Sequence, residues 1–153
     1  MDLVDDRLAF YTIGYESSNL EQYLNKLLKY RINYLCDVRY NPYSQNYGFS
    51  RTELQYALSL VNIKYIHIPK LGISSSLRQH LRTDIDYYNL LKQYESDFLP
   101  KQEESIELLE KLLIENKYIA ITCFEVKVSH CHRSKIANIM SKRNNVEYII
   151  AHI

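Results

Sequence analysis

The sequence predicts an α/β fold in one domain over 1–153, with a mainly parallel central sheet of about five strands and helices on both faces, in Rossmann-like or flavodoxin-like layering. Three observations predict it. Short apolar runs alternate with stretches of helical period along the chain. The 153 residues, 46% hydrophobic and 24% charged, suit one globular domain with a sizeable core. Polar and reactive residues also follow four of the apolar runs, as they do where a parallel sheet presents its C-terminal edge to a ligand.

Leu8 to Ile13 is the first strand, apolar enough to be central, and Gly14 ends it. Ser18-Asn19-Leu20-Glu21 fits a capping box with Ser18 as N-cap and Glu21 reaching back. Leu20, Tyr23, Leu24, Leu27 and Leu28 then form one apolar stripe of a helix ending near Tyr30. Ile32 to Val38 is the second strand and delivers Asp37 and Arg39 at its end. Tyr40 to Phe49 is a loop, long for a strand-to-helix connection. Ser50-Arg51-Thr52-Glu53 is a second capping-box pattern, opening a helix striped by Leu54, Ala57, Leu58 and Val61.

Ile63 to Ile68 is the third strand, with His67 near its end. The polar segment Ile73 to Thr83, carrying Arg78, His80 and Arg82, is a candidate flap. A helix follows from about Asp84 to Phe98, and Pro100 separates it from another over Glu103 to Glu115. Tyr118 to Thr122 is the fourth strand, and a last helix runs to Arg143 with Asn144-Asn145 as its stop. Val146 to Ile153 is the fifth strand.

The connection Cys123 to Arg133 is the richest in chemistry. It holds two of the three cysteines, two of the five histidines, Glu125 and Arg133. Cys131, beside His132 and Arg133 at a helix start, is a candidate nucleophile, because a helix N-terminus and neighbouring cations stabilise a thiolate. Arg133 and the free amides there are equally candidates for an anion site. The plainer alternative makes Cys131 a buried residue and Arg133 a loop anchor. A cysteine-phosphatase loop is excluded, because it needs an arginine where Ala137 stands. Cys123, Cys131 and His132, with His130 or His67, could ligate zinc, but the two cysteines match no standard zinc-knuckle spacing, so no metal and no cofactor is expected. Glu16, Asp37 and Glu125 are carboxylates on one edge. They are candidates for acid–base work, or for an ion network pairing Asp37 with Arg133 or Glu125 with Arg39. Tyr15, Tyr40, Tyr43, Tyr47 and Phe49 are candidates for stacking on a base. Lys127, Arg133, Lys135, Lys142 and Arg143 make a modest basic side.

Net charge of +1 gives no global argument for nucleic acid or membrane. Three cysteines make no disulfide framework, so free thiols and a cytoplasmic protein are expected. The longest apolar runs are too short to span a bilayer.

Thr12-Ile13-Gly14-Tyr15, Asp37-Val38-Arg39 with Pro42 and Ser44, and Tyr65-Ile66-His67-Ile68-Pro69 with Leu71-Gly72 occur in that order. Cys123-Phe124-Glu125 and Cys131-His132-Arg133 follow. In this set the chain resembles the domain-of-unknown-function family 488 over nearly its whole length. The resemblance implies a compact α/β domain with a Rossmann-like sheet and nucleotide- or nucleic-acid-related roles, with no established reaction. Its signature positions include Gly14, Tyr15, Ser44, His67 and His132. The family often has a second glycine after Leu-Gly, where Ile73 stands here.

The expected function is that of a small hydrolase or transferase acting on a phosphate-bearing nucleotide or nucleic acid. Glu125, Asp37 and Cys131 are the catalytic candidates. Gly14, Tyr15, Arg39, Ser44, His67, His132 and Arg133 are the substrate-binding candidates. A non-catalytic binding module and a purely structural Cys/His/Arg cluster are the alternatives.

Overall fold

The computed structural model describes residues 7–143 and 146–153. Five parallel strands form one sheet: β1 (Leu8–Gly14), β2 (Tyr34–Asp37), β3 (Lys64–His67), β4 (Tyr118–Cys123) and β5 (Tyr148–His152). The helices are α1 (Leu20–Lys29), α2 (Arg51–Leu60), α3 (Ser75–Arg78), α4 (Asp84–Gln93), α5 (Glu103–Asn116) and α6 (Arg133–Ser141). Among the described residues no helix is long and apolar enough to cross a membrane.

The inner strands β1, β2 and β4 bury both faces, because consecutive side chains point to opposite sides and both sides are covered, while the edge strands β3 and β5 are only partly buried. Leu35 and Ala120 join Tyr23, Leu27, Leu54 and Leu58 of α1 and α2 in one apolar layer. Cys36, Ile119 and Ile121 join Leu91, Leu109, Leu113, Ile136 and Met140 of α4, α5 and α6 in the other.

The strand order is β3-β2-β4-β1-β5. The layering is the expected one, while the order differs from both 3-2-1-4-5 and 2-1-3-4-5. β4 is inserted between β1 and β2, which are connected through α1. The crossovers leaving β1 and β2 run over one face, and the one leaving β4 runs over the other. Such a reversal parts the loops at the C-terminal ends of neighbouring strands. Here it opens a crevice over β1, β4 and β2.

Local details differ from expectation for local reasons. Ser17 takes a left-handed conformation at φ 65°, and the Ser18 amide donates to Tyr15 O at 3.0 Å. Ser18 is therefore still in the turn, and the capping box forms one residue later. The Gln22 amide donates to Asn19 Oδ1 at 2.8 Å, and the Asn19 amide to Gln22 Oε1 at 3.1 Å. Ser50 stands at the N-cap of α2, but its hydroxyl exchanges hydrogen bonds with the Ser44 backbone. Glu53 instead accepts from the Gly48 amide at 2.9 Å, so the second box does not close. The helix from Asp84 ends at Gln93 and widens into a π turn over Tyr94–Phe98 before Pro100. The expected stop at Asn144-Asn145 lies outside the described residues. In the segment 73–83 Ile73 is buried, while α3 at its centre buries no residue and most of the rest is exposed. The close approach there belongs to Gly72, where a Cβ would stand 2.2 Å from the Tyr40 amide nitrogen.

Candidate functional site

The loops after β1 and β4 are stitched together before any ligand arrives. The Tyr15 and Glu16 amides both donate to Phe124 O, at 3.1 and 2.8 Å. Glu16 Oε1 in turn accepts from the Val126 amide at 3.3 Å. Gly14 pairs with Cys123 across the sheet, and a Cβ on it would meet Glu125 O at 2.0 Å. Only a hydrogen fits there. Beside this stitched pair lies an open cleft of about 440 Å³. The β2 loop, with Tyr40, Tyr43 and Ser44, forms one wall. Arg78 of α3 and Phe124 stand across from it, with Tyr15 and Arg39 at the base.

Asp37 and Arg39 are locked to each other. Arg39 Nε donates to Asp37 Oδ1 at 2.8 Å and Nη2 to Oδ2 at 2.6 Å, a bidentate pair. Asp37 Oδ1 also accepts from the Arg39 amide, and Oδ2 from the Tyr65 hydroxyl at 2.6 Å. Arg39 Nη1 donates to Phe49 O and to Tyr15 Oη. Burial pulls the Arg39 pKa down, but the Asp37 hydrogen bonds and charge outweigh it, and the net shift is upward. Burial, with the Asp37 charge beside it, raises the Tyr65 hydroxyl. Asp37 is fully buried with both oxygens doubly bonded, so it holds the cleft base rather than standing ready to move a proton. Tyr15 stacks on Phe49 with ring centroids 4.5 Å apart and holds the cleft base with Arg39.

Arg133 is an anchor rather than a ligand clamp. It is 1% exposed. Its Nε donates to Thr12 Oγ1 at 3.1 Å, its Nη2 to Val126 O at 3.0 Å and its Nη1 to Glu125 O. Burial lowers its pKa. The network expected between Asp37 and Arg133 or Glu125 and Arg39 is replaced by Asp37–Arg39 and Glu125–Arg78. The reason is strand order: with β1 beside β4, α6 carries Arg133 to Thr12 and Cys123, away from β2.

Cys131 is bonded to Cys123 in a disulfide, which corrects the expectation of three free thiols. Among the described residues Cys36 is the free one, and burial pushes its thiol pKa far up. Cys131 is no nucleophile in this oxidised state. His132 is buried, and its Nε2 faces Val38 O at 2.8 Å. A carbonyl oxygen accepts only, so the proton sits on Nε2 and Nδ1 is bare. Burial first, and the Arg78 charge next, bring the His132 pKa down to about 3, so the ring is neutral. His67 Nε2 donates to Arg39 O at 2.7 Å and does not line the cleft.

Glu125 does not line the cleft either, but it touches Arg78, which does. Its Oε1 lies 3.4 Å from Arg78 Nη1, and its Oε2 is buried with no hydrogen-bond partner. Arg78 sat unassigned in the polar segment after the third strand, and only the fold brings it to the cleft. The signal that would have found it is its position beyond a strand's C-terminal end, the same rule that singled out Glu125. Of the aromatic candidates, Tyr40 and Tyr43 are exposed in the cleft wall, while Tyr15 and Phe49 are core. Three members of the expected basic side are paired: Lys127 faces Asp84, Lys135 faces Glu95, and Arg143 lies between Glu103 and Glu110.

Comparison with curated proteins finds no match. The DUF488 family model, described as a domain of unknown function, matches residues 19–140, a span that runs from the cap of α1 through β2 and β4 to α6. With that match over most of the chain, and with Asp37, Arg39, Glu125 and Arg133 inside it, the protein belongs to the DUF488 family.

Proposed function

We propose that this protein is a small enzyme acting on a phosphate-bearing substrate, a nucleotide or nucleic acid, by hydrolysis or group transfer in the cleft over β1, β4 and β2. The observation that carries this reading is Glu125, whose Oε2 is buried without a partner while Oε1 faces Arg78. Leaving a buried acceptor unpaired costs about 1–3 kcal/mol, which a fold built only for stability has reason to avoid. Arg78 is partly exposed and lines the cleft, so it can turn from Glu125 to a phosphate. That movement leaves Glu125 next to the bound group as its acid or base. Tyr40 and Tyr43 offer exposed ring faces to a base, a contact worth about 1–3 kcal/mol per base.

The test is nucleotide and oligonucleotide binding by calorimetry, with turnover followed in parallel. Arg78→Ala is expected to weaken binding about tenfold or more, as loss of a charge-assisted contact does. Glu125→Gln is expected to keep affinity and lose turnover. Binding unchanged in Arg78→Ala would remove the cleft from the account. A non-catalytic binding module is the second reading. It is favoured by the saturation of Asp37 and the disulfide at Cys131, which leave Glu125 of the three catalytic candidates Glu125, Asp37 and Cys131. It predicts the same loss in Arg78→Ala with no turnover in any variant.

A further inference from the structure

Glu125 has a second set of neighbours besides Arg78. One sulfur of Cys123, one of Cys131 and one carboxylate oxygen of Glu125 all lie within 4.8 Å of one another. Both cysteines are 1% exposed. The Glu125 oxygen without a hydrogen-bond partner belongs to this group's carboxylate. His132 Nδ1, left bare by the bond from Nε2 to Val38 O, lies 3.9 Å from Cys131 Sγ. Metal-binding histidines are held in this way, with one ring nitrogen fixed on a carbonyl and the other turned to the ion.

We infer that the reduced protein binds a thiophilic divalent cation, zinc first, through Cys123, Cys131 and Glu125. His132 Nδ1 is the nearest further donor. Two thiolates with a carboxylate or imidazole suit zinc rather than calcium or magnesium, which take oxygen ligands. Three protein ligands with a further position open to water or imidazole is a common zinc pattern. The sulfurs come from the end of β4 and the residue before His132 at the start of α6. The fold, rather than a knuckle loop, brings them together, which is why their spacing gave no metal signal.

In the structure the sulfurs are joined, so reduction comes first. A dithiol gives two electrons and two protons to the disulfide, ends as a disulfide itself, and leaves Cys123 and Cys131 as thiols. Binding of the cation then releases both thiol protons. Arg133 Nη1, 3.2 Å from Cys123 Sγ, favours the thiolate. With the cation bound, Glu125 is a ligand, and its acid–base role belongs to the metal-free protein.

The experiment is a titration of the full chain, reduced and freed of reductant without air, with cobalt(II) followed by its thiolate charge-transfer absorption. Zinc then displaces the cobalt in competition with a coloured chelator. One ion per chain is expected, with the charge-transfer band present. The oxidised protein is expected to take up none. Cys131→Ser should lose the band, and Cys36→Ser should keep it. Glu125→Gln, which retains both thiols, should bind about tenfold or more weakly. Circular dichroism of each variant separates lost binding from lost folding. Reduced wild type that binds no more tightly than a Cys123→Ser, Cys131→Ser double variant overturns the inference. So does an equal affinity in oxidised and reduced protein. No substrate enters the titration, so its failure is distinct from failure of the proposed reaction.

Discussion

Asp37 and Arg39 show how one pair can carry a site without doing its chemistry. Both are buried, and each satisfies the other's charge and most of its hydrogen-bonding capacity. Arg39→Ala would leave a buried carboxylate with only the Tyr65 hydroxyl and a backbone amide. A loss of about 3–5 kcal/mol in urea unfolding is expected. The exposed Lys111–Glu115 pair, with nitrogen and oxygen 3.9 Å apart, is the control. Lys111→Ala should cost under about 0.5 kcal/mol. Equal effects for the two would mean that Asp37 and Arg39 are not the lock described. Glu125 is the opposite case, a carboxylate whose geometry leaves it unfinished.

The elements around the cleft were readable to different depths. All five strands fall where apolar runs place them, and the three inner ones need such runs because they are buried on both faces. The cap of α1 was misplaced by one residue, because the left-handed turn at Ser17 depends on Tyr15 and its pairing with Phe124. That gives a discriminating pair of variants. Asn19→Ala removes an acceptor used by the helix and should cost about 1 kcal/mol in thermal unfolding. Ser18→Ala should be close to neutral. The reverse ranking would restore the cap at Ser18. Within the segment 73–83, α3 is too short to hold itself, and its Arg78 is placed by contact with Glu125.

Across the fold, the sheet edge collects groups from segments far apart in sequence. Gly14, Phe124 and Arg133 make one stitched unit, and Asp37, Arg39 and Tyr65 a second. The cleft lies beside both. The cysteines divide along the same lines, with Cys36 inside the core and Cys123–Cys131 tying β4 to α6. In native, non-reduced protein, mass spectrometry after alkylation is expected to find none of the three cysteines modified. After unfolding without reduction Cys36 alone should become labelled, and Cys123 and Cys131 only when the disulfide is reduced as well. Early labelling of Cys131 without reduction would restore it as a free thiol.

Residue pattern alone was enough for the layers of this protein, the ends of its strands and the edge where its reactive residues gather. Periodicity and burial act locally, and each apolar run answers for itself. The partners were decided only by the tertiary structure. Pairing of Glu125 with Arg78, and of Arg133 with Thr12 rather than Asp37, depends on which strands are neighbours. That order is set by how the crossovers pack over the sheet, and no short window of sequence contains it. Inserting β4 between β1 and β2 sends Arg133 into the core, holds Asp37 closed and leaves Glu125 with an open oxygen.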